Sequence, residues 1–144
     1  MFLFSDQCHA VSDTLFCAGQ PDSKQLFQYQ QAGIRTVINL TQSSEQTFDE
    51  QATVEGLGMH YHHLPISGAN DMTASNGQRL KALLNNSAEP VLLHCGTANR
   101  AGGLLAAMAF HCDGVMLEEA LALGRKGGLT QLEAAVKQCL CGGA

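Results

Sequence analysis

The chain has 144 residues, 45% of them apolar and 15% charged, with a formal net charge of −5. That profile excludes a disordered segment and gives a chain long enough to bury a core without covalent staples. Eight Lys and Arg against thirteen Asp and Glu exclude a broad basic face for nucleic acid or anionic lipid, so any anion site must be local.

The opening MFLFSDQCHA has no basic region and only a short apolar run, so no signal peptide is expected, and no stretch reaches membrane-span length. A cytoplasmic location is the expectation. With it go free thiols for Cys8, Cys17, Cys95, Cys112, Cys139 and Cys141, which show no repeated Cys-x-x-Cys spacing. Neither a disulfide scaffold nor a zinc site is expected.

Leu15-Phe16-Cys17-Ala18 reads as a short strand ending at Gly19. Pro21-Asp22-Ser23 opens a helix that stops at Gly33, with proline near its start and glycine past its end. Arg35 to Leu40 is β-branched and predicts a strand; a weaker helix is expected over 47–55, with Phe48 and Ala52 on one face. Met59 to Ile66 is the third strand, running into the small polar loop Ser67-Gly68-Ala69-Asn70-Asp71. Leu80, Leu83 and Leu84 stripe a helix that Asn85-Asn86-Ser87 ends.

Val91-Leu92-Leu93 is apolar on both faces and predicts the central strand of a parallel sheet. The helix after Arg100 is apolar nearly all round and should be buried. Two more helices follow, the last opened by Thr130 and Glu133 as a capping box and carrying Leu132, Ala135, Val136, Cys139 and Leu140 at the helical period.

No repeat, linker or low-complexity tract divides the chain, so residues 1–144 read as one domain. Strands alternating with helices predict an α/β fold, a mainly parallel four- or five-stranded sheet with helices on both faces. In such sheets ligands sit beyond the carboxyl ends of the strands. Cys95 lies at one of those ends.

The stretch 91–110, VLLHCGTANRAGGLLAAMAF, therefore carries the chemistry. The first amides of a helix have no internal partners and, with the helix dipole, form a cradle for an anion. Donors and a guanidinium favour a thiolate over a thiol. Gly96 can take backbone angles closed to other residues, and Asn99 tolerates the left-handed region. Arg100 can grip two oxygens of a phosphate in a planar fork. Nucleophile and anion clamp converge, as sulfur attack on an oxyanion requires.

HCGTANR resembles the signature loop of the protein-tyrosine-phosphatase superfamily: His-Cys, a short loop, then Arg. The loop here has four residues between Cys95 and Arg100, one fewer than is usual there. That is similar to a bacterial phosphatase-like branch also found beside beta-lactamase-hydrolase-like proteins. FCAGQPDSKQLFQYQQAGIRTVINL, GLGMHYHHLPIS and EEALALGRKGGLTQLEAAV resemble the opening, middle and end of that branch, so nearly the whole length is covered.

The resemblance implies a cysteine-phosphatase-like fold and a phosphoric monoester hydrolase of the protein-tyrosine or dual-specificity kind. Cys95 would be the nucleophile forming a phospho-cysteine, and Arg100 the phosphate clamp. Amides of Gly96, Thr97, Ala98 and Asn99 would complete the phosphate-binding loop. His94 would order the loop, a buried core histidine being the other reading. Many relatives carry glycine where this chain has Ala98, and Ser or Thr where it has Ala101. Both departures point to slow turnover.

Related enzymes protonate the leaving oxygen with an aspartate after the third strand. Asp71, the one carboxylate in SGAND, is the candidate; Asp49 and Glu50 come second, with a solvated helix face as their other reading. No metal or other cofactor is expected. His60 and His62 share one face of a strand and His63 the other, without a third ligand, and Cys139 and Cys141 suit packing. The expected partner is a phosphorylated small molecule or phosphoprotein, with no nucleic acid and no membrane. Two alternatives stand beside the hydrolase: a rhodanese-like sulfurtransferase with a persulfide on Cys95, and a non-catalytic oxyanion-binding pseudophosphatase.

Overall fold

The computed structural model describes residues 8–142; the first seven residues, which hold most of the N-terminal segment read above for a leader, and the last two lie outside the described residues. In chain order the elements are β1 (Cys8–Ala10), β2 (Leu15–Ala18), α1 (Ser23–Gln31), β3 (Thr36–Asn39), α2 (Glu50–Gly56), β4 (His60–His63), α3 (Ala74–Asn86), β5 (Val91–His94), α4 (Asn99–Cys112), α5 (Leu117–Lys126) and α6 (Glu133–Cys141). Single 3-10 turns sit at Ser43–Glu45 and Ala69–Asp71.

Five strands form one sheet in the order β1-β2-β5-β3-β4. β2, β5, β3 and β4 run parallel, and β1 closes one edge antiparallel to β2. β5 is central, which is why Leu92 and Leu93 are both wholly buried. Side chains alternate across the sheet. Cys17, Ile38, Leu93 and Cys95 meet α3 to α6 on one face; Phe16, Val37 and Leu92 meet α1 and α2 on the other.

The starts of α1 and α2 follow their caps. The Asp22 carboxylate accepts from Gln25 N, and the Gln25 side chain accepts from Asp22 N, a reciprocal box at the head of α1. Asp49 caps α2 by accepting from Ala52 N, so that helix begins at Glu50 rather than 47. Its buried side is Glu50 and Val54, and Ala52 is exposed, contrary to the expected Phe48–Ala52 face.

The expected Thr130–Glu133 capping box does not form. Leu132 precedes α6 without a side-chain cap, because Thr130 is bonded to Asn99 and Glu133 forms two bonds with Arg125. Tertiary partners have outbid a local one.

α4 is buried along most of its length, as its composition requires. It crosses α5 at two glycines. A Cβ on Gly102 would lie 2.5 Å from the Gly124 carbonyl oxygen, and one on Gly124 would lie 2.8 Å from that of Gly102. The two backbones touch, with no side chain between them.

Candidate active site

Beyond β5 the chain is pinned to β2 on both sides of Cys95. Cys95 N donates to Ala18 O at 3.2 Å, and Gln20 N donates to Gly96 O at 3.1 Å. Ala98 then takes the left-handed conformation, φ 73°, and turns the chain into α4. Among the described residues no acceptor meets the N–H of Gly96 or Thr97, and the first amides of α4 have no intrahelical partner. The unpaired donors thus cluster on the Cys95–Arg100 loop.

The left-handed residue is Ala98, neither Gly96 nor Asn99. Gly96 sits against the clamp instead: a Cβ there would lie 3.1 Å from Arg100 Nη2. Asn99 is the first residue of α4 and a crosslink. Its Oδ1 accepts from Thr130 N at 2.8 Å, Leu132 N at 3.1 Å and Thr130 Oγ1 at 3.3 Å. Its Nδ2 donates to Thr97 Oγ1 at 3.3 Å. The loop and the α5–α6 connection are fastened together.

Cys95 is wholly buried on the core face beside α4. The Arg100 guanidinium folds back over it, and its donors can be counted. Nη1 donates to Glu45 Oε2 and to Ile66 O, both at 2.9 Å, and Nη2 donates to Glu45 Oε1 at 2.7 Å. A guanidinium carries five N–H groups, so three are taken. The remaining pair, Nε–H and the second Nη2–H, forms the side fork. Glu45, the larger cause, and the nearby Cys95 sulfur together raise the guanidinium's pKa above the ordinary arginine value.

Glu45 sits in the turn after β3, and Gln42 N also donates to its Oε2 at 2.8 Å. Its carboxyl is held well below the usual range, at about 2, first by its hydrogen bonds with Arg100 and then by that with Gln42 N.

His94 points to the opposite face from Cys95. Its Nε2 donates to Glu50 Oε2 at 2.5 Å, and Gln20 Nε2 donates to Glu50 Oε1 at 2.8 Å. His94 and Glu50 are both buried, which overturns the solvated-face reading of Glu50. The chain tied here, at Gln20 and His94, is the chain that holds the loop to β2.

Asp71 closes the 3-10 turn Ala69–Asp71 and is not among the residues that line the groove over the loop. Its Oδ2 accepts from Ser67 N at 2.7 Å and Ser67 Oγ at 2.8 Å, and Oδ1 makes no hydrogen bond among the described residues. Ser67, Glu45, Arg100 and Gln131 line a groove of about 400 Å³ that runs over the loop. Ala101 is buried in the core. His60, His62 and His63 lie along the edge strand β4, where His63 Nε2 bonds Thr41 O, and no group of three metal ligands gathers among the described residues. The Cys139 thiol bonds Met72 O, and Cys141 is exposed.

Sequence reasoning missed Glu45, the Gln20–Glu50–His94 chain and the Asn99 crosslink. The available signal was position: Glu45 and Gln20 both stand just past the carboxyl ends of strands that neighbour β5, where site residues of such sheets are drawn from.

No protein-family model matches the chain. Two Xylella fastidiosa sequences, from strains Temecula1 and 9a5c, each described as a beta-lactamase hydrolase-like protein, are 28% identical to it over 124 residues, 82% of this chain. The chain spans only 28% of the length of those relatives. Among solved structures it superposes on Tk-PTP in its active form, with a TM-score of 0.70 at 19% identity, covering 95% of this chain and 97% of that one. TpbA of P. aeruginosa gives 0.70 at 20%, over 94% and 84% of the two chains. The kinase associated phosphatase gives 0.69 at 18%, over 92% and 90%. The fold is that of the protein-tyrosine-phosphatase-like enzymes. No described helix is long and apolar enough to cross a membrane.

Proposed function

We propose that this chain, folded as a cysteine phosphatase, hydrolyses a phosphomonoester through Cys95. The observation that carries the reading is the side fork of Arg100, left free by Glu45 and Ile66 on a guanidinium close enough to Cys95 to feel its charge. Two parallel N–H donors at that place match two oxygens of a phosphate, and the unpaired loop amides supply the rest.

In the first step the Cys95 thiolate attacks phosphorus. The bond from phosphorus to the leaving oxygen breaks, and that oxygen takes a proton from Asp71. In the second step water attacks the phospho-cysteine and gives a proton back to Asp71. The S–P bond breaks, and phosphate and the thiolate are released. Ala101 offers no hydroxyl to assist the departing sulfur, so the second step is the slow one. Arg100 holds the phosphoryl oxygens in both steps, while Glu45 positions Arg100 and His94, through Glu50, positions the loop.

The test is release of p-nitrophenol from p-nitrophenyl phosphate. A rapid burst approaching one equivalent per chain is expected, followed by slow turnover, both abolished in Cys95→Ser. Unchanged phosphate release in that variant overturns the proposal, and phosphate binding without any turnover identifies an oxyanion-binding pseudophosphatase instead.

One observation favours a second reading, sulfur transfer. Cys95 is wholly buried, and the candidate acid Asp71 has one oxygen tied to Ser67. A sulfurtransferase needs no such acid: the thiolate attacks the outer sulfur of thiosulfate, the S–S bond breaks, sulfite leaves, and Cys95 keeps a persulfide. Mass spectrometry after thiosulfate treatment then finds one added sulfur atom on Cys95.

A further inference from the structure

The groove over Thr97, Asn99 and Arg100 has an unusual lining for an aryl substrate. Leu132 is its one apolar side chain of any size, and no aromatic ring lines it among the described residues. The rest is hydroxyl, amide and charge: Ser67, Thr97, Gln42, Gln131 and the Arg100–Glu45 pair. A phenyl leaving group gains little from such walls, because rings are held by apolar or aromatic faces. A hydroxylated leaving group loses little on entering, because its bonds to water are exchanged for bonds to amides and hydroxyls.

Charge narrows the class further. Arg100 is the one cation lining the groove, and three of its five donors are already taken. That suffices for a single phosphate and leaves nothing for a second one.

Gln131 is the side chain placed to read the substrate. The residues on either side of it, Thr130 and Leu132, both donate their backbone N–H to Asn99 Oδ1, at 2.8 and 3.1 Å. Asn99 is the immediate neighbour of Arg100, so the backbone of Gln131 is fixed relative to the phosphate clamp. Its own amide makes no hydrogen bond among the described residues while it lines the groove. A fixed backbone with an unengaged carboxamide is the arrangement that selects a hydroxyl partner at little ordering cost.

We propose that the groove takes a polyhydroxylated alkyl monophosphate, a sugar or cyclitol phosphate, and that the Gln131 carboxamide binds a hydroxyl of its leaving group. The inference rests on the phosphatase reading and narrows its substrate.

The experiment compares kcat/KM for glucose 6-phosphate and myo-inositol 1-phosphate with that for phosphotyrosine and p-nitrophenyl phosphate, in the wild type and in Gln131→Leu. The wild type should favour a polyol phosphate over phosphotyrosine by about tenfold or more. The variant should shift the ratio of polyol to p-nitrophenyl kcat/KM about tenfold toward the aryl ester, mainly through KM, as loss of one bound hydroxyl requires. Preference for phosphotyrosine, or an unchanged ratio in the variant, overturns the proposal while p-nitrophenyl phosphate turnover leaves the phosphatase reading standing. Absence of turnover on every ester, with no phospho-cysteine, removes both.

Discussion

Arg100 and Glu45 meet edge to edge, Nη1 at 2.9 Å from Oε2 and Nη2 at 2.7 Å from Oε1. The parallel pair fixes the plane of the guanidinium and so the direction of the side fork above Cys95. Glu45→Gln keeps the shape but loses one acceptor and the charge. It should lower kcat/KM by about tenfold or more through a misdirected clamp, with the loss read against p-nitrophenyl phosphate.

The same pair has a pH signature. The Glu45 carboxyl is depressed from 4.5 to about 2, so its contribution to stability is complete above its unfolded value and lost as pH falls toward 2. The pair is partly exposed, and solvent limits its worth to about 1 kcal/mol. The difference in urea stability between wild type and Glu45→Gln should be constant above pH ~5 and shrink below pH ~4. A difference that grows on acidification would contradict this.

Ala98 and Gly128 form a second coupled pair. Ala98 holds φ 73°, and a Cβ on Gly128 would lie 2.6 Å from the Ala98 methyl. Ala98→Gly should stabilise the fold by about 1 kcal/mol by relieving the left-handed residue. Gly128→Ala should destabilise by about 2–4 kcal/mol, since Gly128 itself has φ 105°. The double variant should recover part of that loss, because removing the Ala98 methyl takes away the closest contact but leaves His9 at 3.0 Å and the strained angle. Strict additivity in thermal or urea unfolding would contradict the coupling.

Glu50 is the acceptor for both His94 and Gln20. Glu50→Ala strands a fully buried imidazole N–H and should cost about 3 kcal/mol. Glu50→Gln retains an acceptor and should cost about 1 kcal/mol. Urea midpoints order the three proteins, and equal midpoints would show that the buried chain of bonds contributes nothing net.

Asp71→Asn separates proton transfer from attack. Alkyl phosphates leave as alkoxides and need a proton, so kcat on them should fall about 100-fold. p-Nitrophenolate leaves without one, and kcat on its ester should fall by well under that factor. Equal losses on both substrates would assign Asp71 to holding Ser67 rather than to the chemistry.

The parts of this molecule legible in the sequence are those set by one periodic pattern. Val91-Leu92-Leu93 named the central strand because a strand buried on both faces must be apolar at every position, and β5 is that strand. The burial of α4 followed likewise from its lack of charge. β1 was silent: three residues, Cys8-His9-Ala10, carry no alternation, and they pair only because β2 offers an open edge.

That Cys95 and Arg100 come close together was legible from their spacing, but their supports were not. Glu45, Glu50 and Gln20 look like ordinary surface residues, and what buries or engages them is a partner distant in the chain. The failed cap at α6 has the same origin, since nothing near Thr130 in sequence shows that Asn99 will reach it.

The contact of Gly102 with Gly124 has a mechanical consequence for the Arg100 end of α4. Flexible side chains act as springs between most helices, but here peptide abuts peptide two residues after Arg100. The arginine therefore springs from an anvil. A methyl group inserted at Gly102 would have to lever α4 away from α5, and Arg100 with it.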